Sequence, residues 1–133
     1  MRTRALTGIS AAVLAVGGLL VSGTPAAAAE SDCGAGRICL FKDYDYNGRI
    51  LEITAIGTRV DNLKGWDFND ATSSVVNNSS VTVRLYQDLN QGGKYVVVAP
   101  GQRIANLSSV PIYNADGSYF GVNTFNDRTS STW

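Results

Sequence analysis

Polar and apolar positions alternate with a period of two in the middle of the chain. Val81, Val83 and Leu85 alternate with Thr82, Arg84 and Tyr86, which predicts a strand with one buried and one wet face. Ile38 to Phe41, Ile50 to Ile53 and Tyr95 to Val98 are likewise short and β-branched or aromatic, and Gly/Asn clusters separate them. That is the pattern of strands. No window after the N-terminal apolar run sustains a period of 3.6.

The strand pattern repeats. Cys39-Leu40-Phe41-Lys42-Asp43 recurs as Arg84-Leu85-Tyr86-Gln87-Asp88, 45 residues on (39 to 84). The same offset carries Gly48 onto Gly93 and Ile53 onto Val98. Gly57-Thr58-Arg59-Val60-Asp61-Asn62-Leu63 then recurs as Gly101-Gln102-Arg103-Ile104-Ala105-Asn106-Leu107. A polar heptad follows in each unit: Phe68-Asn69-Asp70-Ala71-Thr72-Ser73-Ser74, and Phe125-Asn126-Asp127-Arg128-Thr129-Ser130-Ser131. Only the position of Ala71 and Arg128 differs. Units of about 38–80 and 81–133, each expected to hold four strands, predict an all-β sandwich of two Greek keys. Two copies are too few for a solenoid or propeller.

Short oxygen-bearing side chains fill the heptads. They suit polar turns, and they also suit a hard cation, which takes six to eight oxygens, some from main-chain carbonyls. Recurrence at matching places favours a site. Each heptad belongs with a folded hairpin. In unit one the hairpin is marked by Phe41, Tyr46 and Gly48, where the glycine permits positive φ and the aromatics can pack on it. Unit two has Tyr86, Gln91 and Gly93 at these places, so its corner is expected to pack less well.

The N-terminus changes the compartment. Arg2 and Arg4 precede an apolar run from Ala5 to Val21, and Ala27-Ala28-Ala29 offers a cleavage point. This reads as a secretory signal peptide over residues 1–29, which leaves a single domain over residues 30–133 with no membrane attachment. Losing Arg2 and Arg4 takes the 11 basic residues to 9 against 11 acidic ones, a net charge of −2. Nucleic acid, which needs clustered Lys and Arg, is not an expected partner. Export makes a Cys33–Cys39 disulfide the default. There is no histidine, which excludes His-dependent triads and His-type zinc sites. No arrangement of acids or serines points to another mechanism, and an enzyme is not expected.

The aromatic-x4-aromatic-x-Gly hairpin and the twice-given Asn-Asp-x-Thr-Ser-Ser motif resemble the microbial βγ-crystallin domain over Ile38 to Trp133. Cys33-Gly-Ala-Gly36-Arg-Ile-Cys39-Leu40 resembles the start of the secreted actinobacterial proteins of peptidase inhibitor family I36. This chain lacks the second cysteine pair of some inhibitor members. The resemblance implies that the two polar loops lie side by side and share two calcium ions (Ca2+). By position, the hydroxyls of Ser73 and Ser130, the carboxylates of Asp70 and Asp127 and the carbonyls of Ala71 and Arg128 would be the ligands. It also implies a protease target, and for the founding members this is a metalloprotease.

Unit two is longer between its repeated Leu and Phe. Lys64 to Asp67 separate Leu63 from Phe68, whereas Ser108 to Thr124 separate Leu107 from Phe125. The excess holds Val110-Pro111-Ile112-Tyr113 and Phe120. One reading has Ile112, Tyr113 and Phe120 capping the core. The other has Val110, Pro111, Ile112 and Tyr113 presented to a protease cleft, stiffened by the proline. Three functions follow: an inhibitor of an extracellular metalloprotease, a cell-wall-binding or toxin-like module, or a calcium-stabilised extracellular protein without a catalytic target. An exposed aromatic row facing a groove would mark the second; a rigid projecting segment would mark the first. A monomer is expected. Asn-x-Ser/Thr matches at Asn77, Asn78 and Asn106 carry no weight.

Overall fold

The period-two segments all form strands, and short strands complete each unit. In the computed structural model, which describes residues 28–133, these are β1 (Arg37–Phe41), β2 (Ile50–Thr54), β3 (Ser74–Asn78), β4 (Val83–Tyr86), β5 (Tyr95–Val98), β6 (Arg103–Ile104), β7 (Val110–Tyr113), β8 (Tyr119–Asn123) and β9 (Ser131–Thr132). The expected signal peptide lies, apart from Ala28 and Ala29, outside the described residues.

Two antiparallel sheets result, with strand orders β2-β1-β3-β6 and β8-β7-β5-β4-β9. Each sheet is completed by the other unit. β6 of unit two pairs with β3 through Val75↔Ile104 and Val76↔Arg103. Val60 of unit one bridges Thr132 of β9. Where unit two has β6, unit one thus has only this single bridge, and unit two gains a hairpin, β7–β8. One core lies between the sheets. Ile38, Leu40, Ile53 and Val75 enter it from one side, and Val83, Leu85, Val96 and Val98 from the other. Leu63, Phe68, Leu107 and Phe125, the repeated positions flanking the polar loops, are fully buried in the same cluster.

The outer faces are covered differently. On the first sheet Cys39, Phe41 and Val76 pack with Cys33, and the Cys33–Cys39 disulfide ties the N-terminal segment over them. On the second sheet the outer face of β4 is not wholly wet. Arg84 is exposed but Tyr86 is buried, because Tyr95 lies against it at 5.4 Å between ring centroids. Asn77 is also buried. Its amide donates to the carbonyls of Val81 at 2.8 Å and Val98 at 3.0 Å, which stitches the junction between the units.

Val110 and Ile112 are 4% and 3% exposed and belong to the core. Of the four residues that one reading presents to a cleft, these two are therefore corrected to core positions, and for Ile112 the capping reading holds. The period-two geometry of β7 turns them inward while Pro111 and Tyr113 face out. Phe120, read as a possible cap, is instead exposed.

Candidate functional site

Each polar loop is built by its neighbour as much as by itself. In both units the hairpin after the first strand ends in two residues of positive φ: Asp45 and Tyr46 at 55° and 60°, Asn90 and Gln91 at 54° and 56°. Gly48 and Gly93 follow at φ 76° and 72°. A Cβ there would lie 2.5 Å and 2.4 Å from a carboxylate oxygen of Asp43 and Asp88, so glycine is required on both steric and conformational grounds. The last serine of each heptad holds this hairpin. Ser74 Oγ donates to the Asp43 carbonyl (2.6 Å) and accepts from the Tyr46 N–H (3.0 Å). Ser131 does the same with Asp88 (2.6 Å) and Gln91 (2.9 Å). These two serines are functional positions of the scaffold that the repeat displayed but whose role only the fold reveals.

The corner expected to pack less well is closed in another way. Phe41 and Tyr46 meet edge-to-face at 5.8 Å in unit one. Gln91, in place of the second aromatic, donates to the carbonyls of Val60 (3.1 Å) and Thr132 (3.2 Å).

The two heptads lie side by side with approximate two-fold symmetry. Asp70 N–H donates to the Thr129 carbonyl (2.9 Å) and Asp127 N–H to the Thr72 carbonyl (3.0 Å). Ser73 Oγ donates to Asp127 (3.3 Å), and Ser130 Oγ to Asp70 (3.1 Å). The structure thus brings Asp70, Ser73, Asp127 and Ser130 together, in two crossed Ser–Asp pairs. Asp70 and Asp127 sit at φ 52° and 53°, a region Asp tolerates better than most residues. Asn69 and Asn126 steady these carboxylates at 2.8 Å and 3.0 Å. Among the described residues no hydrogen bond reaches the carbonyls of Ala71 or Arg128. The buried Thr72 and Thr129 hydroxyls and the Asn69 and Asn126 Oδ1 atoms also lack partners. The cluster is all oxygen, with two carboxylates and several unused acceptors. That is the donor chemistry a hard cation takes. Among the described residues no three His, Cys, Asp or Glu side chains converge, so the acceptors other than Asp70 and Asp127 are hydroxyls, amides and carbonyls.

The insertion between Leu107 and Phe125 is a closed hairpin. Phe125 N–H donates to the Leu107 carbonyl (2.7 Å) at its root, as Phe68 does to Leu63 (3.1 Å) in unit one. At its tip Asn114 N–H donates to the Ser118 carbonyl and Gly117 N–H to that of Asn114, both at 2.9 Å. Asp116 accepts from the Ser118 N–H (2.9 Å) and hydroxyl (2.6 Å), and these bonds hold its carboxyl below the ordinary 3.8. Tyrosines run across the outer face from β4 to β8. Tyr86, Tyr95, Tyr113 and Tyr119 follow one another at 5.4, 5.6 and 5.9 Å between centroids. Their exposure rises along the row, from buried Tyr86 and Tyr95 to Tyr119 at 61%.

Residues 26–98 match peptidase inhibitor family I36. The chain belongs to that family. The match covers unit one and the first hairpin of unit two and ends before β7–β8. The I36 chain is also similar to a βγ-crystallin from Ciona intestinalis, at 30% identity over 73% of this chain and 96% of that one, with a TM-score of 0.54. It shares its fold with an archaeal βγ-crystallin (21% identity, 74% and 96% covered, TM-score 0.53). A structure of the eye-lens βγ-crystallin domain fold is similar in the same way (19% identity, 75% and 86% covered, TM-score 0.59). A comparison with curated proteins gives no match. The expected two-Greek-key fold and the I36 resemblance therefore both hold.

Proposed function

We propose that this I36 chain is a secreted, calcium-stabilised inhibitor of an extracellular metalloprotease, with no catalytic activity of its own. The observation that carries the inhibitor reading is the family match over residues 26–98. The rigid β7–β8 hairpin supports it, because a pre-ordered segment loses little entropy on docking. A wall-binding module would expose an aromatic row along a groove. Here two of the four tyrosines in the row are buried, which favours the inhibitor.

Calcium belongs to the same proposal. Asp70 and Ser130 on one side, and Asp127 and Ser73 on the other, would hold one ion each. The free carbonyls of Ala71 and Arg128 are the further oxygens near each site. The ion supplies positive charge between two loops that otherwise meet through two main-chain hydrogen bonds and two long Ser–Asp ones. A site of about 10⁻⁵ M affinity would contribute about 2.7 kcal/mol at about 100-fold excess of free calcium.

The test uses purified residues 30–133. Inhibition of a thermolysin-type protease with none of a serine protease is expected, and the reverse selectivity would overturn the metalloprotease assignment. Calorimetry should show the melting temperature rising with millimolar calcium. Ser73→Ala with Ser130→Ala should abolish most of that rise; an unaltered rise would place the ion elsewhere.

A further inference from the structure

Among the described residues, one of the sheets ends in a strand without charge or proline. β8 is the terminal strand of the five-stranded sheet, so among the described residues one side of its main chain has no neighbouring strand. Its sequence, Tyr-Phe-Gly-Val-Asn, carries no charge and no proline. Tyr119, Phe120 and Val122 are 61%, 47% and 59% exposed. Natural sheets blunt such edges with charge, proline, shortness or a bulge, because an open edge recruits another strand; of these β8 has only the bulge. The other edges here are blunted. β6 is two residues long and carries Arg103. β9 is also two residues long, and Val60 bridges it. β2 carries Glu52, which accepts from the Gly34 N–H.

β8 is also held in shape. It pairs with β7 from Val110↔Asn123 to Tyr113↔Tyr119, with a bulge that leaves Phe120 extra and Gly121 at φ 142°. Tyr119 meets Tyr113 edge-to-face. Lys94 Nζ lies 4.5 Å from the Phe120 ring centroid. The strand is therefore presented extended and ordered. Five residues at about 3.4 Å each span about 17 Å, the length of an ordinary strand.

We propose that β8 is the surface by which this protein engages its protease: an extended edge strand of the protease's substrate cleft pairs with the free main-chain side of Tyr119–Asn123. The inference rests on the inhibitor reading above. A protease cleft receives a peptide main chain in extended form, and an ordered, uncharged edge supplies the matching donors and acceptors. Tyr119 and Val122 then supply the flanking apolar contacts.

The experiment compares inhibition by the wild-type residues 30–133 with that by Val122→Lys and Tyr119→Lys, using Ile56→Lys, outside β8 and 60% exposed, as a control. A lysine on the edge disfavours strand addition. Either edge variant should raise the inhibition constant by about tenfold or more, with melting temperature and calcium response unchanged, while Ile56→Lys has no effect. Hydrogen exchange at residues 119–123 should slow in the complex. If both edge variants inhibit like wild type, the edge proposal falls and the inhibitor reading stands. If wild type inhibits no protease, both fall. If wild type sediments as a dimer that Val122→Lys dissociates, the edge belongs to a second copy of this chain and the proposal is overturned.

Discussion

Adjacent residues of identical type do different work in this molecule. Ser73 and Ser130 face the opposite loop, while Ser74 and Ser131 turn back to hold the hairpins. A tandem Ser-Ser is needed because one hydroxyl cannot reach both places. The hairpin tip shows another local dependence. Asp116 is ionised more readily than a free carboxyl because Ser118 donates to it twice. A depressed folded-state value means that the contribution is present above the ordinary 3.8 and is lost as pH falls through the lower folded value. The Ser118 amide shift should therefore titrate with a midpoint below 3.8. A midpoint at or above that value would show that the two bonds do not hold the carboxylate.

At the scale of the element, the inserted hairpin is both core and edge. Val110 and Ile112 of β7 fill the sandwich, while β8 ends the sheet and gives no residue to the core cluster. Shortening residues 108–124 would strip core side chains as well as remove a surface, so single exposed substitutions separate the two roles better. Ile112→Ala should lower stability by about 2–4 kcal/mol through lost burial and a residual cavity. Chemical denaturation measures this, and a loss within experimental error would mean that the hairpin merely rests on the sandwich. The same dual character explains why the segment looked ambiguous: apolar residues in an insertion fit a core cap and a binding segment equally well.

Across the whole molecule, neither repeat unit is complete. β6 pairs with β3 and Val60 bridges β9, while the polar loops exchange four hydrogen bonds. A unit alone would leave strand edges and half the core open. Residues 30–80 expressed alone should show a disordered circular dichroism spectrum and no cooperative melt. A cooperative transition in that fragment would refute the interdependence of the units. The Cys33–Cys39 bond ties the N-terminal segment to β1 and does not link the two units, and Cys33→Ser with Cys39→Ser should cost about 2 kcal/mol without unfolding the domain.

The repeat, the period-two strands, the disulfide and the Ser/Asp composition of the paired loops were all legible in the residues themselves. Each depends on local spacing or on residue type, which a sequence displays directly. The tertiary structure alone decided which sheet each short strand joins, since two-residue β6 and the bridge at Val60 have no hydrophobic pattern of their own. It also decided that Tyr86 is covered, because Tyr95 and Tyr113 come alongside only through strand pairing. Finally, it set Val110 and Ile112 inward and left β8 as an open edge. Register determines which side chains face the core, and register across an inserted hairpin is fixed by pairing with distant strands.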